Sequence, residues 1–321
     1  MSDGVRRRRG ARAYVLAMAL TAATAFAADA PADFSARLDA LWTFADPAGS
    51  EARFREEVAR HPAGSREALE AATQIARTHG LRRQFAQADA TLDGVAPRLD
   101  AVPARVRVRY LLERGRTRNS AGEKSAAVVL FTDALAASER DTLPGADFYR
   151  VDALHMLGIA APAPERLQWD LRALAAVEAS ADARARGWAA SLYNNVGWAY
   201  FEAGDAKTAL VQWQKAVPLR EAAGDTGTIR IARWTVARGH RALGQLDEAE
   251  AIQRALAAET ERDGDPDGYV YEELAEVAIA RGDPKAAAPW AAKAHALLRD
   301  DRSVPPARLA RLDAIARGAP P

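Results

Sequence analysis

Histidines are the side chains best suited to proton transfer near neutral pH. The chain has five, His61, His79, His155, His240 and His295, and none stands three or four positions from another, so no pair shares a helix face. No nucleophile-elbow, zincin, dinucleotide-fold or phosphate-loop string occurs. One string imitates a calcium loop: DGDPDGYVYEEL places Asp263, Asp265 and Asp267 at positions one, three and five and Gly268 at six. Its twelfth position, which must supply a bidentate carboxylate, is Leu274, so the segment reads as a connector. No metal ligand set, cofactor site or catalytic constellation is expected. What remains is a polar and aromatic group, Asn194, Asn195 and Trp198, inside SLYNNVGWAYFEAGDAKTALVQWQKAV. Amides donate to and accept from a peptide backbone, and an indole offers apolar area plus a donor.

The elements that would position these residues repeat. Aligned on the alanine that follows each turn, Ala88, Ala127, Ala209, Ala249 and Ala287 fall 39, 82, 40 and 38 residues apart. The interval of 82 holds two units, one of them degenerate, around HMLGIAAPAPERLQWDLRAL. The residue types fit pairs of antiparallel helices. Gly115 and Gly197 sit inside first helices, and Ala127, Ala209 and Ala287 inside second helices, where a small side chain lets backbones approach. Ala134, Ala216 and Ala294, seven residues on, face the next unit. Gly204 and Gly282 suit the left-handed position that ends a helix, and Asp205 and Asp283 suit the N-cap of the next. Pro284 falls at the first helical position, where its missing N–H costs nothing. Pro289 conflicts with this frame, because it falls inside a second helix and is expected to kink it.

The pattern resembles the tetratricopeptide repeat. NVGWAYFEAGDAKTALVQWQKAV carries the family's small residue, tyrosine, turn glycine, alanine, aromatic and alanine at Gly197, Tyr200, Gly204, Ala209, Trp213 and Ala216. LLERGRTRNSAGEKSAAVVLFTDAL matches at Gly115, Gly122, Ala127, Phe131 and Ala134, with Arg118 in place of the tyrosine. The period near 40 is longer than the family's usual repeat of about 34 and is similar to its long-helix variant. The resemblance implies an all-α, right-handed superhelical solenoid of antiparallel helix pairs. Residues 64–300 form the array of about six repeats, one degenerate. Residues 28–63 form amphipathic capping helices, PADFSARLDALWTF and SEARFREEVARH, separated by the breaker ADPAGS, and residues 301–321 a C-terminal capping helix and tail.

Charge and composition narrow the function classes. Residues 1–27 hold five arginines against one aspartate, leaving 39 basic and 42 acidic side chains in the remainder. Such a balance gives no reason to expect nucleic acid or an anionic membrane as partner. The first 27 residues have the form of a signal peptide: an arginine-rich start, the uncharged run AYVLAMALTAATAFA, and a small-x-small site before Ala28. A periplasmic or secreted location follows as an expectation, with no membrane span after cleavage. There is no cysteine, which excludes disulfides, thiolate metal sites and lipid attachment at a thiol.

In tetratricopeptide arrays the first helices line the concave surface. Carried onto this frame, the resemblance places Arg116, His155, Asn194, Asn195, Trp198, Trp234, Arg238, Arg241, Glu272 and Glu276 in the groove, with Glu113 and Glu273 beside them. That mixture suits an extended peptide or a partner's tail, and the expected function is an exported, non-catalytic scaffold, with self-association through the groove or caps a further possibility. The other function class is a hydrolase or small-molecule site around His155, Asn195, Arg238 and Glu276, which would need a base with an orienting partner. The arginines and glutamates could equally pair between adjacent units, since Arg238 and Glu276 hold equivalent positions one repeat apart. Trp198 and Trp234 could equally pack between helices.

Overall fold

Small residues at fixed places and glycine-aspartate turns have the consequence the sequence implies. A computed structural model describes residues 33–301 and 303–318; the expected signal peptide, residues 1–27, lies outside them. The order is α1 (Phe34–Ala40), α2 (Pro47–Ala59), α3 (Arg66–Leu81), α4 (Phe85–Val95), a 3-10 turn (Ala96–Ala101), α5 (Ala104–Ser120), α6 (Lys124–Ser138), α7 (Ala146–Ala160) and α8 (Ala163–Ala179). It continues with α9 (Ala183–Arg186), α10 (Ala189–Glu202), α11 (Ala206–Ala223), α12 (Thr226–Ala242), α13 (Leu246–Arg262), α14 (Gly268–Ala280), α15 (Pro284–Leu298) and α16 (Pro306–Ala316). No strand occurs among the described residues. The chain divides into two compact units with the boundary between Ala199 and Tyr200. In the first, consecutive helices pack as α3 with α4, α5 with α6 and α7 with α8, and the first helices pack side by side, α3 on α5 and α5 on α7. In the second the pairs are α12 with α13 and α14 with α15, and α12 packs on α14.

The alanine frame marks the closest approaches. Ala88, Ala127, Ala209, Ala249 and Ala287 are all fully buried. At Gly115 a Cβ would run into the Phe131 ring, so glycine in α5 is what admits an aromatic from α6. Phe131 is the eighth residue of α6, and the same place is held by Leu92 in α4 and Trp213 in α11, all fully buried. In α8 that place is Asp170 and in α13 it is Gln253, both buried. The degenerate unit therefore differs at its core: a carboxylate stands where α4, α6 and α11 carry an apolar side chain, and a Cβ at Gly158 of α7 would collide with it.

The turns form as their residues require. Gly204 and Gly282 adopt φ of 85° and 75°, where a side chain would be strained. Asp205 and Asp283 accept 2.9 Å bonds from the N–H groups of Thr208 and Ala286, capping α11 and α15. One expectation changes: the breaker ADPAGS instead starts a helix, because Asp46 caps α2 through Gly49 and Pro47 stands at its first position. Pro289 lies inside α15, where the sequence put it, as Pro218 lies inside α11. Both prolines are exposed, and so is Lys285, whose carbonyl Pro289 leaves without a helical donor; water can satisfy it there.

Candidate functional site

In residues 33–199 the first helices carry one polar stripe each. Arg66, Glu70, Gln74 and Arg77 recur every three or four positions on α3, and Arg105, Arg109, Glu113 and Arg116 do so on α5, so each set shares a face. Arg77 reaches Glu113 at 3.2 Å, and Arg116 joins Glu113 at 2.7 Å to Asp152 of α7. Burial alone would lower the Arg116 pKa, but Asp152 and Glu113 hold it above its ordinary value. Arg109, 2% exposed, reaches Glu70 at 3.3 Å and Tyr149 of α7. Burial pushes the Glu70 carboxyl above its usual range despite Arg109.

His155 lies further along α7, half-buried, with its ring 4.7 Å from that of Trp188. Burial lowers its pKa to about 4, opposed by Asp152 and aided by Arg116, so the imidazole is neutral at ordinary pH. A hydrolytic base needs a group that orients it. The Asp152 carboxylate is engaged by Arg116, and the buried Nδ1 of His155 meets no hydrogen-bonding group among the described residues. Asn194, Asn195 and Trp198 follow on α10, each half-buried.

In residues 200–318 the stripe is a ladder of ion pairs. Arg238 and Arg241 of α12 converge on Glu273 of α14, Arg238 at 2.5 Å and Arg241 through two bonds of 2.8 and 3.1 Å. Glu273 is 2% exposed at its side chain, and the two arginines are partly open to solvent. Glu272 accepts two 2.5 Å bonds from Arg308 of α16, and Glu276 accepts bonds of 3.0 and 2.8 Å from Arg311. Bidentate pairs of this kind fix a guanidinium in plane. Trp234 is buried and its Nε1 donates to the carbonyl of Tyr269 at 3.1 Å, so it bridges two first helices.

No family model and no curated protein matches the sequence. Solved structures do match. The apo form of RapI superposes with a TM-score of 0.68 at 9% identity, covering 88% of this chain and 82% of its own. The C-terminal part of a TPR repeat-containing protein from Cytophaga hutchinsonii gives 0.50 at 16% identity, over 84% of this chain and 97% of that one. The fold is tetratricopeptide-like. NprR in complex with its cognate peptide NprX gives 0.51 at 14% identity, over 90% and 85%. At such identities the likeness is one of fold.

Within the tetratricopeptide-like frame, the expected groove residues fall into two sets. Arg116, His155, Asn194, Asn195 and Trp198 belong to the first unit, and Trp234, Arg238, Arg241, Glu272 and Glu276 to the second. The arginines and glutamates are brought together as pairs, and Trp234 as a packing residue. Asp263 and Asp267 of the calcium-like string serve Arg230 and the N–H of Tyr269. Sequence reasoning missed Arg105, Arg109, Glu70, Tyr149 and Arg184. A signal was present in RVRVRYLLERGR, whose Arg105 and Arg109 precede Glu113 and Arg116 at helical spacing.

Proposed function

We propose that this protein is an exported, non-catalytic scaffold that binds a protein or peptide segment on its first helices. The observation that carries the reading is that each unit, taken by itself, lines its first helices with guanidiniums and carboxylates: Arg105, Arg109, Glu113 and Arg116 in the first, Arg238, Arg241, Glu272 and Glu273 in the second. Arginine reads carboxylates bidentately, and indoles supply contact area at small entropic cost. The NprR structure, a tetratricopeptide-like neighbour holding a peptide, supports the same use here. Export rests on the sequence of residues 1–27; no helix among the described residues is long and apolar enough to cross a membrane.

The test is capture of crosslinked partners from an envelope fraction with the full chain, beside Trp198→Ala and the double variant Arg238→Gln with Glu273→Gln. The paired change avoids leaving the buried Glu273 carboxylate short of one of its two cations, and the one left over, Arg241, is partly open to solvent. Loss of a partner with either variant is expected. Retention of every partner by both, or capture of none by the unaltered chain, overturns the reading. Mass spectrometry of the exported protein should find Ala28 as its first residue.

A further inference from the structure

The N-terminal helix does more than cap. A helix that only closes the end of a stack touches its neighbour, whereas Asp39 of α1 reaches three later elements. It accepts from Arg109 of α5 at 2.6 Å, from the hydroxyl of Tyr149 on α7 at 3.0 Å and from Arg184 of α9. Asp33 faces Arg66 at 3.5 Å and Arg105 at 3.4 Å, and Ser35 accepts from Arg105 at 2.8 Å. Further on, the indole N–H of Trp42 donates to Gln74 at 3.0 Å, and Arg77 lies over the stacked rings of Trp42 and Phe44. Residues 33–44 thus run along the α3 stripe and across those of α5 and α7, on the face where a peptide would lie.

Charge shows what that face accepts. Arg66, Arg105, Arg109 and Arg184 meet four carboxylates, Asp33, Asp39, Glu70 and Asp141. Two of the four belong to the segment, so without it four guanidiniums would keep only Glu70 and Asp141. The segment's own hold is suited to exchange. α1 has seven residues, too few to be stable as a helix alone. Its buried apolar anchors are Phe34 and Leu38, packed on Phe54, Ala71 and Ile75; the partly buried Leu41 and Trp42 pack beside them, and the two aspartates are held by side-chain polar bonds.

We propose that the first-helix face beneath residues 33–44 is a carboxylate-reading groove, that this segment is its tethered occupant, and that its ligand in trans is an acidic peptide that displaces the segment. The ligand has two carboxylates about six residues apart, followed by aromatic side chains, as in the segment itself. This deepens the scaffold reading, yet its test needs no natural partner, so the two fail separately.

The probe is a labelled synthetic peptide of residues 33–44, added to the full chain. A tether gives the internal copy an effective concentration of about millimolar. The peptide should therefore bind the unaltered chain weakly and the Asp33→Ala, Asp39→Ala chain at least tenfold more tightly. A peptide with both aspartates changed to asparagine should lose that binding. The chain has no cysteine, and Ser35 is fully buried, so Ser35→Cys gives one thiol whose modification reports release of the segment. Free peptide should accelerate that modification at least threefold. The proposal is overturned if the double variant keeps its helical content and Tm yet binds no peptide. It is equally overturned if millimolar peptide leaves thiol modification unchanged.

Discussion

Asp170 offers the sharpest test of how the pairs are packed, because it occupies a core position that in α6 and α11 belongs to Phe131 and Trp213. It is 5% exposed, and its Oδ1 meets no hydrogen-bonding group among the described residues. Burial pushes its carboxyl from an ordinary 3.8 to about 7, opposed by Arg166. The folded protein therefore holds this proton after the unfolded chain has released it, so folding costs free energy that grows as pH rises from about 4 to about 7 and then levels. With 1.36 kcal/mol per pKa unit, the cost is just under ~2 kcal/mol at pH 5 and just over ~4 kcal/mol at pH 8. Asp170→Asn keeps the shape and removes the titration. Urea unfolding followed by far-UV circular dichroism at several pH values, with hydrogen exchange of α7 and α8 as local readout, should show the variant gaining about 3 kcal/mol on the unaltered chain between pH 5 and pH 8. The comparison is a difference, so His155, present in both chains, cancels. Parallel stability profiles would refute the claim that Asp170 is desolvated against α7.

Gln253 holds the equivalent place in α13, fully buried, with neither amide atom bonded among the described residues. Gln253→Leu should raise stability by about 1–3 kcal/mol, and a lower Tm would show that the amide is bonded in solution. Trp213→Ala at the same position in α11 should cost about 3–5 kcal/mol in urea unfolding, and a loss below 1 kcal/mol would contradict its place in the core. The His155 imidazole should titrate by NMR near 4, since its burial favours the neutral form. A midpoint near the ordinary 6.5 would mean that α7 leaves it solvated.

Much of this molecule is written locally. Helix ends follow from glycines that tolerate positive φ and aspartates whose oxygens meet the next N–H groups, and both effects act within four residues. The alanine frame marks the close approaches, because only a methyl group fits there. Equivalent positions one repeat apart suggested that arginines and glutamates would pair, but they named Glu276 for Arg238, whereas Arg238 takes Glu273 and Glu276 takes Arg311. Trp234 could not be assigned from spacing, since whether its indole faces solvent or the carbonyl of Tyr269 depends on how two first helices meet. Nor could the N-terminal segment. Its residues read as a cap, and its apolar side does cover α2 and α3. Asp39 finds Arg109 and Arg184 at separations of 70 and 145 residues. Backbone sterics decide a turn wherever it lies in the chain, whereas a charge takes whichever partners the stacked helices bring within reach, and only the tertiary structure determines that.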